Sequence, residues 1–240
     1  MKIAEEIATR AIILLCLSDR CALERTTIGG RVYTLKQRDN QRKAIYKWLQ
    51  DKGYNTSMTL NEKLLFEQEV GKGNKDEILS KQIQYEAIEP CLWSLELINK
   101  LSEYDRLVSE DFHPLLEIGE THSLEKLLNK CRLRVFDDIV IQKEISMLWH
   151  WRTREGNNSI FNLKPEKELI ISTFGNKYMN IIDSMQEFKN DKDVFIVNNK
   201  AFNDLNSAEI YRMKIIAQWR HHAFEWIVED KEWDEVELNT

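Results

Sequence analysis

Chain breakers are scarce here: 8 glycines and 3 prolines in 240 residues. Tight turns and hairpins draw on glycine and proline, so a chain this poor in both is badly suited to many short strands and well suited to helices. The predicted fold class is mainly α, an irregular multi-helix bundle with one small β-hairpin near 194–202. The expected organisation is a single helical domain over residues 1–240. With 42% hydrophobic and 31% charged residues, such a domain can bury a sufficient core without staples or metals.

Periodicity and capping signals divide the chain. Ile3, Ile7, Ala11 and Leu14 fall at helical spacing, which predicts a first helix over 3–17 with Arg10 on the border of its apolar stripe. Gly29-Gly30 permits either a small hairpin or a plain loop over 26–36. A second helix is expected over 40–52, closed by Gly53 in a left-handed cap. Thr59 and Glu62 form a capping box that opens a third helix. A long fourth helix is expected over 76–101, with a kink or break at Pro90. Residues 102–122 read as irregular, and a short helix follows over 123–131. Residues 135–154 read as the most amphipathic helix, with Ile141, Ile145, Leu148 and Trp151 on one face. Residues 155–164 read as a loop. Pro165 suits the first turn of the next helix, which extends toward Phe188 with a break at Gly175. Val194–Val197, Asn198-Asn199 and Lys200–Phe202 read as the hairpin, and Asn206 with Glu209 caps a last helix to Val228.

The net charge of -6 is local. From Glu225 onward seven acids (Glu225, Glu229, Asp230, Glu232, Asp234, Glu235, Glu237) stand against Lys231 alone, so the preceding chain is balanced. Nucleic-acid binding needs a basic patch, and a balanced body with an acidic end does not look like a nucleic-acid binder. A protein partner that docks on the acidic C-terminal segment is compatible with this pattern. Ile12–Leu17 is too short for the roughly 20 apolar residues of a membrane span, and Glu5, Glu6 and Arg10 before it do not suit a secretory leader. Cys16, Cys21, Cys91 and Cys131 form no C-x-x-C pair. Free cysteines in apolar runs fit a reducing compartment, so a cytoplasmic location is expected.

No motif carries a reaction. There is no G-x-S-x-G, and Gly71-Lys72-Gly73 lacks the strand before and the G-K-[ST] ending of a phosphate loop. His221 and His222 point about 100° apart on a helix and cannot chelate one ion as an i, i+4 pair does. Zinc needs three or four convergent ligands, so no metal and no cofactor is expected. His113 and His122 are expected to face solvent. The tryptophans read as core: Trp93, Trp151, Trp226 and Trp233 are expected anchors, and the Trp219–His222–Trp226 face is expected to pack against the helix over 135–154.

Several segments together resemble the bacterial domain-of-unknown-function 4272 family. The ending carries most of it. Trp219-Arg220-His221-His222-Ala223-Phe224-Glu225-Trp226, then Trp233-Asp234-Glu235-Val236 and Asn239-Thr240, resembles the family's E-R-x-x-A-L-N-W and W-D-x-V-x-x-D-T. Trp219 stands where the family has an acid, Glu225 where it has Asn, and Asn239 where it has Asp. Glu86 with Trp93-Ser94-Leu95, Leu133-Arg134 with Trp151 and Arg154, the stretch around Arg10, and Trp48-Leu49 with Thr59–Glu62 complete the order. The resemblance implies a helical fold and a bacterial source, and it brings no activity.

Arg10, Glu86, Arg134, Asp138, Arg154, Arg220 and Asp234 sit on or beside apolar helical faces. Buried charge must be paired, so these residues are candidates for one inter-helix polar cluster, with a set of separate structural ion pairs and helix-end contacts as the favoured reading and Arg134 and Asp138 four apart on one helix. Two functions follow. The favoured one is a non-enzymatic binding or regulatory protein, such as a toxin-neutralising or accessory factor, acting through its acidic end. The alternative is an enzyme or small-anion-binding protein in which Arg134, Arg154 and Arg220 converge on open space.

Overall fold

In the computed structural model, residues 1–119, 121–156, 164–185, 188 and 193–238 are described. The expected loop over 155–164 and the end of the helix toward Phe188 lie partly outside them, as do Asn239 and Thr240.

The chain begins with α1 (Ala4–Ala22), whose first turn is closed by Glu6 Oε2 accepting the Ile3 amide at 2.9 Å. It runs five residues beyond its expected end. It is also not amphipathic in the expected sense: every residue from Ile7 to Leu17 is buried, while Ile3 is exposed. A helix greasy on all sides must run through the core. Around α1 lie α2 (Leu35–Asp51), α3 (Leu60–Glu67), α4 (Lys75–Gln82), α5 (Ile88–Ser94) and α6 (Leu124–Leu128).

The remaining elements build a second core. They are α7 (Phe136–Glu155), α8 (Glu166–Phe174), α9 (Met179–Ser184) and the hairpin of β3 (Ile196–Val197) and β4 (Lys200–Ala201). The last helix, α10 (Ser207–Val228), belongs to both cores. Met213, Ile216 and Ala217 pack with Leu148 and Trp149, whereas Trp219, Ala223, Phe224 and Trp226 pack with the α1 group.

The fold is mainly helical, as expected, and the β3–β4 turn is the Asn-Asn pair. Asn198 and Asn199 both have positive φ, 50° and 62°, which is what a tight two-residue hairpin demands. Of the two readings of 26–36 the hairpin is the one found, joining β1 (Thr27–Ile28) and β2 (Arg31–Val32), so two small hairpins stand among the described residues. Ten α-helices appear among the described residues against the seven or eight expected. The surplus has a local cause, because two expected helices are broken. The stretch expected as one helix over 76–101 divides at a 3-10 turn, Ile83–Ala87, and ends at Ser94. Pro90 lacks an N–H for the carbonyl of Glu86, so the ladder is interrupted upstream of it. The second break falls at Gly175, φ 92°, as expected. Pro165 stands one position earlier than expected, at the cap of α8. Thr34 with Gln37 forms a capping box that starts α2 five residues early.

The seam between α7 and α10 also departs from expectation. Ile141 is exposed, and from Ser146 to Thr153 every residue of α7 is buried, so no polar face survives there. The Trp219–His222–Trp226 face turns away from α7. It meets Trp233, with ring centroids 4.5 Å from His222 and 5.4 Å from Trp226. Beside Met213, Ile216 and Ala217, α10 presents His221 and Glu225 to α7.

Candidate functional site

The seven candidate polar residues are divided among separate places. Arg10 lies in α1, where Nη1 donates to Glu62 Oε1 at 2.8 Å and Nη2 to the Ser57 carbonyl at 2.8 Å. Its guanidinium is 4.9 Å from the Trp233 ring centroid. Glu62 does two jobs, since its other oxygen accepts the Thr59 amide of the capping box. Asp234 is exposed near Asn61. Arg134 stacks on Trp93 at 4.3 Å and donates to the carbonyls of Trp93 and Ile98, at 2.6 and 3.1 Å. Asp138 is exposed and forms no ion pair with Arg134. Arg154 is exposed on the last turn of α7. The expected convergence of Arg134, Arg154 and Arg220 therefore does not occur. The two helix-end arginines follow the backbone and the solvent, and Arg220 alone enters the interior. The four expected tryptophan anchors are all buried.

Glu86 and Arg220 share a place, together with Glu89, which the sequence reading did not single out. Arg220 Nη2 lies 2.8 Å from Glu89 Oε2, and its guanidinium sits 4.6 Å from the Tyr104 ring. Each of these charged side chains also holds the irregular segment that follows α5. Glu89 Oε1 accepts the Ser102 amide (2.8 Å) and hydroxyl (2.6 Å), Arg220 donates to the Ser102 carbonyl (2.5 Å), and Glu86 Oε1 accepts the Val108 amide (2.9 Å). A segment without helix or strand has backbone groups to satisfy, and here buried charge satisfies them. Burial raises the Glu86 carboxyl to about 7, against the opposing pull of the Val108 amide and Arg220. Both sides of this cluster are walled by narrow clefts. Arg220 lines one of about 260 Å³ with Trp93 and Gln142, and Glu86 lines another with Leu79 and Leu107.

The histidines are placed differently from expectation. His122 is buried and bonds to Tyr54 Oη at 2.5 Å, and His113 is half-buried between Asp19 (2.8 Å) and Asp111 (2.6 Å). The pairing with Asp19 raises His113 to about 9. His150 and His221 meet across the α7–α10 seam, Nδ1 to Nδ1 at 3.2 Å. Burial lowers them to about 4 and about 3, and each is near further cations. The adjacent His222 points elsewhere, to the Trp233 carbonyl at 3.1 Å. Among the described residues no group of three or more His, Cys, Asp or Glu side chains is arranged to hold a metal.

A further cleft lies where α1 begins and α10 ends. Of about 490 Å³, it is lined by Lys2, Glu5, Glu6, Arg10, Trp226 and Glu232, with Thr and Ser side chains beside them. The Lys2 amide donates to the Ile227 carbonyl at 2.8 Å, which lays the residues ahead of α1 along the end of α10. Glu5, Glu6 and Glu232 are exposed, as are Asp230, Asp234, Glu235 and Glu237 nearby in sequence. The sequence announced the acidic end but not that the first turn of α1 would add Glu5 and Glu6 beside it. The folded cleft offers a carboxylate rim, an indole wall and a buried guanidinium. Such a set binds cations and hydrogen-bonding groups.

A family model described as Domain of unknown function (DUF4272) matches residues 1–169. That span takes in α1 to the start of α8 and stops before α10. No curated protein and no solved structure matches the chain.

Proposed function

The chain belongs to the DUF4272 family, and we propose that it is a non-catalytic binding protein whose partner is a protein with a basic surface. One observation carries this reading: Glu232 of the acidic C-terminal segment and Glu5 and Glu6 of the first turn of α1 line the same cleft, with Trp226 in its wall. Opposed potentials steer association and favour one partner over another. The arginines that would serve a small anion are engaged internally: Arg10 with Glu62, Arg220 with Glu89, and Arg134 with carbonyls. No helix of the described residues is long and apolar enough to cross a membrane. The four cysteines are free, which supports a bacterial cytoplasmic setting as part of the same reading.

The test is capture from the native host by the wild-type chain and by an E5K/E232K variant. One partner at fixed stoichiometry, released by salt and lost in the variant, is the expected result. A partner held equally by both, or a small anion bound in the purified protein and no protein partner, overturns the reading.

A further inference from the structure

Lys2 sits in the cleft in an unusual way. Its side chain is 9% exposed, and its ammonium lies 5.5 Å from the Trp226 ring centroid. The nearest carboxylates, Glu6 Oε1 and Asp230 Oδ1, are both 3.8 Å away. That is ion-pair range but beyond hydrogen-bond range, and the ammonium makes no hydrogen bond to the described residues. The stem of the side chain is buried, and the tip with its three donors reaches the open cleft. The reason is visible in the backbone. The Lys2 amide is held by the Ile227 carbonyl, which fixes the root of the side chain at the end of α10. Glu6 is held through its other oxygen by the Ile3 amide and Asp230 is fully exposed, and neither closes on the ammonium. Arg10, buried in the same cleft, has an Nε without a hydrogen-bond partner.

We infer that the Trp226 face, Glu6 and Asp230 form a seat for a cationic side chain of the partner, and that Lys2 is a stand-in which the partner's lysine or arginine displaces. An incoming side chain is not tethered at Ile227, so it can approach a carboxylate to hydrogen-bond distance while keeping the indole face. Lys2 leaves by rotation of its own side chain, and the carboxylate rim keeps it solvated outside. This inference rests on the proposed function, and it adds both the recognition element and a built-in competitor.

The experiment is fluorescence anisotropy of a fluorescein-labelled hexalysine peptide at low salt, with the full chain. K2A is expected to bind three- to tenfold more tightly than wild type, because the competitor is gone. E6Q and D230N, made in the K2A background, are expected to weaken binding by a similar factor, while D137N, a distant exposed acid, leaves it unchanged. Circular dichroism melting of each variant reports whether the fold is kept. Binding by K2A equal to or weaker than wild type overturns the seat. If E5K/E232K still abolishes binding in that case, the proposed function stands without the seat. If neither set of variants alters binding, both fall.

Discussion

Arg10 and Glu62 show how a charge survives inside this chain. Their side chains are 5% and 0% exposed and 2.8 Å apart, and Glu62 also caps α3. Removing one partner of such a pair strands the other. E62Q is therefore expected to cost about 3–4 kcal/mol in urea unfolding, far more than the loss of an exposed pair such as Lys47–Asp51. Glu86 makes a different claim, on pH. Its carboxyl is raised to about 7 by burial, above its ordinary value of 4.5. The folded state thus holds a proton that the unfolded state has released. Its contribution is fully present below about pH 4.5 and is lost as pH rises through about 7. E86Q, measured against wild type by urea unfolding from pH 4.5 to 8, should lose that part of the slope. The two curves should diverge in favour of E86Q as pH rises, by about 1.4 kcal/mol per pH unit at most. Parallel curves would mean that Glu86 is not so raised.

Among the elements, the seam of α7 and α10 has the opposite pH sign. His150 and His221 are lowered by burial to about 4 and about 3, from an ordinary 6.5. Here the unfolded chain takes up protons first. The seam's stability is whole above about pH 6.5 and drains away as pH falls toward 3. An H150Q/H221Q variant, which cannot titrate, should show a flatter stability curve between pH 6.5 and 4 than wild type. The irregular segment after α5 is an element of another kind, since Arg134, Glu89, Arg220 and Glu86 hold its backbone. R134A should speed amide exchange over residues 95–104 about tenfold, the equivalent of one or two lost hydrogen bonds. These contacts mark the boundary of what a sequence can disclose. Capping boxes are local, so Thr59–Glu62 and Asn206–Glu209 were readable in advance, as was the Asn-Asn hairpin. The partner of Arg10 is 52 residues away, and that of Arg220 is at Glu89 in another helix. No periodicity encodes such a distance. Glu62 was read as a cap only, and the seven polar residues were candidates for one cluster because their shared position beside apolar faces was visible and their directions were not.

At the scale of the molecule, two cores share one helix. The α1 core and the α7–α9 core each contain large apolar side chains with almost no exposure, Phe66 and Phe224 in one and Phe195 and Phe202 in the other. Separate cores can unfold separately when the link between them is a loop. Here the link is α10, whose first half is buried in one core and whose second half is buried in the other. Helix formation is cooperative along its length, so losing the packing of one half removes support from the other. Ile216 is wholly buried in the second core, and I216A should cost about 2–5 kcal/mol through the cavity it leaves. The informative result is how that loss is distributed. If α10 couples the cores, I216A lowers a single transition, followed identically by far-ultraviolet circular dichroism and by the fluorescence of Trp93, Trp226 and Trp233 in the first core. If the circular dichroism falls in two steps while the fluorescence of the first core holds until the second, the two halves of α10 are independent. Residues 1–240 would then be two folding units in place of one.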